Sequence, residues 1–120
     1  MQKTILVVED DGSFRTALRK ILEKENYRIL EAANGKEGQK LNAGEKVDLI
    51  ILDYYLGDMT GADFLKTLPG RVSSPVIVLS ANTNEALDQE VRGLGAKVSL
   101  SKPISRPALL EAVKRTIHLN

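Results

Sequence analysis

Two apolar runs in this chain end abruptly in carboxylates: Ile5-Leu6-Val7-Val8 meets Glu9-Asp10-Asp11, and Leu49-Ile50-Ile51-Leu52 meets Asp53. Four consecutive apolar residues with no polar alternation read as strands buried on both faces, the kind found in parallel sheets. Such strands restrict the chain to architectures in which helices cover both sides of a sheet. In open α/β sheets the crevice outside the carboxyl ends of the strands is the usual ligand site. The two runs therefore bring several carboxylates to one edge. Gathered there, they repel one another unless a divalent cation, a lysine or both arrive to offset them.

The rest of the chain agrees with that restriction. Short β-branched runs at Thr4 to Glu9, Arg28 to Glu31, Val47 to Asp53, Pro75 to Ser80 and Lys97 to Leu100 alternate with amphipathic stretches. Phe14, Leu18, Ile21 and Leu22 mark a first helix, which Ser13 is placed to cap. Asn34-Gly35 opens a second, running through Gly38 and Leu41 to about Gly44. Ala62, Phe64, Leu65 and Leu68 mark a third, stopped by Pro69-Gly70, with only a short loop to the next strand. Thr83 or Asn84 caps a fourth, which Gly95 closes. Ser105 and Pro107 start the fifth, with Leu109, Leu110, Val113 and Ile117 as its stripe. This order predicts a doubly wound (βα)5 domain spanning residues 1–120, with right-handed crossovers and helices on both faces.

Composition narrows the function. Lys+Arg 17 against Asp+Glu 16 leaves a formal net charge of +1, without the basic excess expected of a nucleic-acid binder. Zero cysteines exclude disulfides, a thiolate nucleophile and cysteine-ligated metals. No apolar stretch approaches the roughly 18 residues of a membrane span. Met1-Gln2-Lys3-Thr4 passes straight into a strand, without a secretory signal. The expectation is a cytoplasmic protein.

Four elements carry candidate chemistry, and each has a plainer reading when taken alone. Of Glu9-Asp10-Asp11, neighbouring side chains at a strand end diverge, so two of the three reach one site. Oxygen ligands of this kind suit Mg2+, which takes one or two carboxylates, keeps several waters and completes its shell with phosphate. The plainer reading is a solvated acidic turn, with Asp11 near a helix start where negative charge is favourable. Asp53 has the position of a nucleophile toward phosphorus, giving a mixed anhydride; alternatively it caps the turn that Gly57, Asp58 and Gly61 form. The Ser80 hydroxyl, with small Ala81 beside it, suits a phosphoryl oxygen or a helix cap. Lys102 offers a point charge to carboxylate or phosphate, or is simply solvated. A cis Lys102-Pro103 bond is the minority state by default.

Together these residues place carboxylates, a hydroxyl and an ammonium at the ends of strands one, three, four and five. In that combination the chain resembles the receiver domains of two-component response regulators. The resemblance rests on Ile5-Leu6-Val7-Val8-Glu9-Asp10, Asp48-Leu49-Ile50-Ile51-Leu52-Asp53, Met59-Thr60-Gly61, Pro75-Val76-Ile77-Val78-Leu79-Ser80-Ala81 and Lys102-Pro103. It implies a flavodoxin-like sheet of order 2-1-3-4-5. It implies Asp53 as phosphoacceptor, and Mg2+, or Mn2+ in its place, held by Asp10, Asp53, the Tyr55 carbonyl and, through water, Glu9. It further implies Ser80 as the switch hydroxyl and Lys102 as the phosphoryl contact. The partners it implies are a histidine kinase or phosphotransfer protein and a downstream effector, with a phosphorylation-dependent homodimer as one output. Such a domain assists its own phosphorylation and slow dephosphorylation but is not a conventional turnover enzyme.

Three positions depart from the family pattern. Ser99 stands where the family carries an aromatic switch residue, so ring rotation cannot work in its usual form. Gly57 stands where proline is common, predicting a more mobile loop. Tyr55 is bulky and expected to screen attacking water. Two rival classes fit less well. A phosphohydrolase of the haloacid dehalogenase type wants a second Asp two residues after its nucleophile, and neither Asp53-Tyr54-Tyr55 nor Asp10-Asp11-Gly12 supplies one. Flavin binding is opposed by acidic residues where a cofactor phosphate would sit. A receiver fold serving as an interaction module unregulated by phosphorylation is the remaining alternative, mildly favoured by Ser99. His118 reads as a helix-end residue near the negative end of the dipole rather than a phosphoryl donor. No output domain is expected after the fifth helix.

Overall fold

A computed structural model describes residues 2–68 and 74–119. Five strands alternate with five helices: β1 Thr4–Val8, α1 Gly12–Glu23, β2 Arg28–Ala32, α2 Gly35–Gly44, β3 Leu49–Asp53, α3 Gly61–Lys66, β4 Val76–Ser80, α4 Glu85–Gly93, β5 Val98–Ser101 and α5 Arg106–Thr116. The strands are all parallel, in the order β2-β1-β3-β4-β5. The expected fold is thus the observed one.

Alternate residues of the central strands feed two cores. Leu6, Val8, Ile50, Leu52, Val76 and Val78 pack with Phe64 and Leu65 of α3 and Leu87 and Val91 of α4. Ile5, Val7, Leu49, Ile51, Ile77 and Leu79 pack with Leu18 and Leu22 of α1 and Leu109 and Val113 of α5. This is why β1, β3 and β4 carry almost uninterrupted apolar runs: both faces of each are covered. α2 is a full helix although Gly38 lies in its interior, where glycine costs about 1 kcal/mol against alanine. Packing explains that glycine. A Cβ on Gly38 would lie 2.9 Å from Val8 Cγ2 and 3.0 Å from Phe64 Cε2, so only glycine lets α2 approach β1 this closely.

The caps correct one expectation and decide another. Asp11, not Ser13, caps α1: its side chain accepts from the Phe14 amide at 3.1 Å, and Ser13 lies within the helix. Asp11 stands three residues before Phe14, the spacing at which an N-cap side chain takes the N3 amide. Asn84 rather than Thr83 caps α4, accepting from Leu87 N at 2.8 Å. Ser105 caps α5, with Pro107 in its first turn. Thr60 and Asp63 form a reciprocal capping box at α3. The expected stop at Pro69-Gly70 lies outside the described residues.

Candidate functional site

Because every strand is parallel, the residue that follows each one emerges at the same edge. Glu9 and Asp10 follow β1, Asp53 ends β3, Ser80 ends β4 and Lys102 follows β5. β1 lies between β2 and β3, so chain order reverses there and the helices diverge, opening a crevice at that edge.

Glu9 and Asp53 are buried, at 1% and 6% exposure, while Asp10 faces solvent. One carboxylate oxygen from each of the three lies within 4.8 Å of the others. Lys102 Nζ sits between the buried pair, 2.8 Å from Glu9 Oε1 and 3.0 Å from Asp53 Oδ1. The remaining Glu9 oxygen, Oε2, accepts from the Asp11 amide at 3.0 Å. Burial pushes the Glu9 and Asp53 carboxyls above their usual range; hydrogen bonding to Lys102 pulls both back, and nearby carboxylate charge raises them again. Burial by itself would lower the Lys102 ammonium, but its hydrogen bonds to Glu9 and Asp53 outweigh that and raise it. The lysine therefore stays charged and holds together two acids that would otherwise repel.

The carboxylates fit a divalent cation. The donor set is entirely oxygen, as a hard cation requires. Opposite ligands of an octahedral Mg2+ stand about 4.2 Å apart, twice its bond length, so small side-chain shifts close the observed spacing. Glu9 Oε1 is moreover buried without an aligned hydrogen-bond donor, because Lys102 approaches it off line. Gly57 adopts φ +82°, a conformation that favours glycine, while a Cβ there would make only ordinary contact with Asp10 Oδ2, at 3.7 Å.

Ser80 is fully buried, and its Oγ accepts from the Asn82 amide at 3.1 Å. Its carbonyl accepts from Lys102 N at 2.9 Å, which fixes the lysine's backbone to β4. The Lys102-Pro103 peptide bond is cis. Tyr55 is 53% exposed, and its ring packs edge-on against Tyr54 at 4.8 Å. Both tyrosines line an open groove of about 470 Å³ with Asn82, Asn84, Leu87 and Glu90. His118 is exposed at the opposite edge, beside Lys3, Lys46 and Asp48, remote from the carboxylates.

Several contacts were not foreseen. The loop after Asp53 is tied down despite Gly57. Asp58, read as a turn former, accepts from Gly35 N at 2.8 Å and Lys36 N at 3.0 Å, clamping the loop to the start of α2. The Gly35 amide holds the Asp58 carboxyl below its usual range. Tyr54 donates to Glu90 of α4 at 2.7 Å, and that bond pushes its phenol up to about 12. Ser99, in place of an aromatic, donates to Asp88 of α4 at 2.6 Å; Arg92 pairs with Asp88 at 2.9 Å and donates to the Lys97 carbonyl. A polar bracket thus joins α4 to β5. Phe14, read as part of an apolar stripe, lies under the Lys102 ammonium. Apart from the Arg92 contacts, of which Arg92–Asp88 is an ordinary i,i+4 helix pair, these contacts join different elements, and no local pattern announces them.

The chain matches the response regulator receiver domain family over residues 5–114. It is 36% identical over 115 residues to the response regulator GtcR of Aneurinibacillus migulanus, a match covering 96% of this chain and 46% of GtcR. With the sporulation initiation phosphotransferase F of Bacillus subtilis (strain 168) it shares 31% identity over 120 residues, covering 99% and 97%. Among solved structures, the chemotaxis protein CheY4 of Vibrio cholerae aligns with a TM-score of 0.91 at 28% identity, covering 97% of this chain and 99% of that one. The chain spans about half the length of relatives such as GtcR and nearly all of the phosphotransferase.

Proposed function

Since the chain belongs to the response regulator receiver family, we propose that it is a phosphoryl-accepting switch in which Asp53 takes the phosphoryl group of a phosphohistidine on a histidine kinase or phosphotransfer protein. The observation that carries this reading is the buried Asp53 carboxylate, ion-paired to Lys102 beside Glu9 and Asp10. Lys102 opposes the effect of burial on Asp53 and so favours its nucleophilic carboxylate form. An Asp53 oxygen attacks phosphorus, the P–N bond of the donor breaks, and the imidazole leaves with the bonding pair and takes a proton from solvent. Lys102 then turns one N–H from the carboxylate to a phosphoryl oxygen, and the Ser80 hydroxyl gives up the Asn82 amide to donate to another. A divalent cation held by Glu9, Asp10, Asp53 and the Tyr55 carbonyl, Mg2+ or in its place Mn2+, supplies neutralisation of the phosphoryl oxygens. The chemistry is largely positioning and charge.

Phosphorylation adds about −1.5 to −2 charge at the sheet edge. Movement of Ser80 and Asn82 draws on the loop leading into α4, which is held on one flank by the Ser99–Asp88 bond and on the other by the Tyr54–Glu90 bond. α4 is the element we assign to the downstream effector or to a second copy of the chain, in the cytoplasm. Among the described residues no helix is long and apolar enough to cross a membrane.

Intact-mass spectrometry after incubation with acetyl phosphate and Mg2+ tests the reading. One phosphoryl group should be gained, and the gain should disappear with a chelator and in Asp53→Asn. A folded wild-type protein that gains nothing would favour the unregulated interaction module instead. Tyr55→Ala, which uncovers the neighbourhood of the acceptor, should lose its phosphoryl group several-fold faster than wild type. An unchanged decay rate in that variant would show that the ring does not screen water.

A further inference from the structure

The Lys102 ammonium is ion-paired on one side with Glu9 Oε1 and Asp53 Oδ1, at 2.8 and 3.0 Å. Another side is covered by the ring of Phe14, whose centroid lies 4.6 Å from Nζ. At that distance a cation is attracted to the negative face of the ring. Phe14 is itself held in place: its amide donates to Asp11 Oδ1, and the Asp11 amide donates to Glu9 Oε2. The contacts close a circuit from Glu9 through Asp11, Phe14 and Lys102 back to Glu9. Arg15 ties the same turn of α1 to the site again, donating from Nη1 to the Glu9 carbonyl at 2.7 Å while its Nε pairs with Glu31. Leu18 and Leu22 anchor α1 in the core beneath.

Core packing alone does not call for an aromatic here. Phe14 is partly buried, and leucine would serve the same apolar contacts. The ring adds a cation-holding face at the one lysine of the site, whose side chain is 21% exposed and would otherwise be free to swing toward water. We propose that Phe14 is a positioning residue for phosphoryl transfer, its ring fixing the Lys102 ammonium between Glu9 and Asp53. When Asp53 is phosphorylated, Lys102 must move an N–H from a carboxylate oxygen to a phosphoryl oxygen. With Nζ seated on the ring, that exchange is a pivot about a fixed nitrogen rather than a departure and return. The inference rests on the phosphoacceptor reading of Asp53.

The test compares Phe14→Leu, which keeps the apolar contact, with Phe14→Tyr, which keeps the ring. Phosphorylation by acetyl phosphate with Mg2+ should slow by about three- to thirtyfold in Phe14→Leu and return to near the wild-type rate in Phe14→Tyr. The thermal midpoints of the two variants, measured alongside, should differ little. Independently of any phosphoryl transfer, the Lys102 ε-methylene protons should carry an upfield ring-current shift in wild type and Phe14→Tyr that is absent from Phe14→Leu. Equal rates in wild type and Phe14→Leu, or equally slow rates in both variants, would overturn the inference. Wild-type protein that gains no phosphoryl group would instead overturn the acceptor reading, and the ring-current comparison then decides by itself whether Phe14 holds the ammonium.

Discussion

Replacing Lys102 with alanine should slow phosphorylation of Asp53 by about a hundred- to a thousandfold, the usual cost of removing one preorganised charge-stabilising donor from a reacting centre. The ammonium has two tasks that nothing nearby can take over. Before transfer it offsets the charge of Glu9 and Asp53, at 2.8 and 3.0 Å, and opposes the rise that burial gives the Asp53 carboxyl. During transfer it is the positive side chain in direct contact with the acceptor. Arg15, the nearest guanidinium bonded to this turn, is committed to the Glu9 carbonyl and to Glu31. Lys102→Arg should remain slow, because a planar fork cannot replace a point charge seated between two carboxylates and a ring. The check is a quenched time course of phosphoryl gain read by intact mass. A Lys102→Ala rate within tenfold of wild type would mean that the phosphoryl charge is met elsewhere.

Asp53→Asn should do more than abolish acceptance: without divalent cations it should make the protein more stable than wild type at neutral pH, by on the order of 1 kcal/mol. The sign follows from the raised carboxyls of Glu9 and Asp53. Between the ordinary carboxylate values near pH 4 and the raised folded-state values, the folded protein holds protons that the unfolded chain has released. Stability in this part therefore falls as pH rises through the window, and the buried charges remain a burden above it. Lys102 does not alter that window. Its raised ammonium contributes stability that is fully present below the usual lysine range and is lost only as pH rises through the folded-state value. Asp58, Asp63 and Asp88, lowered by hydrogen bonds from Gly35, Thr60 and Ser99 respectively, act in the opposite sense and lose their contribution as pH falls. The quantity to measure is thus the difference between variant and wild type at each pH, by thermal or urea unfolding. That difference should shrink as pH drops through the window. Mg2+ at about one hundred times its dissociation constant should stabilise wild type by about 2.7 kcal/mol and the variant far less. A variant less stable than wild type in chelator would show that the carboxylate cluster is not a strained one.

Much of this was legible in the residues. Unbroken apolar runs at Ile5–Val8 and Leu49–Leu52 require two covered faces, and the period of the intervening stretches supplies the helices that cover them. Caps were readable where one polar residue stood alone, as at Ser105. They were not where Asp11 and Ser13 competed, because backbone geometry after β1 decides which side chain reaches an amide. The loop after Asp53 shows the same limit. Gly57 predicts mobility when only chain neighbours are considered, yet Asp58 finds two free amides at the start of α2, 22 and 23 residues earlier. Ser99 announced that an aromatic was missing; that a hydroxyl would bond Asp88 across to α4 could not be read from its neighbours.

By itself the sequence determined the order of strands and helices and which polar residues stand at strand ends, because periodicity and the placement of charge along the chain are local properties. The parallel sheet then places those ends at one edge. Tertiary structure alone decided how they meet: Lys102 between Glu9 and Asp53, the Phe14 ring beneath the ammonium, Tyr54 on Glu90 and Asp58 on α2. Contacts of a few ångströms between residues dozens of positions apart depend on strand register and helix seating. Those are set by how the two cores fill, which no short stretch of sequence encodes.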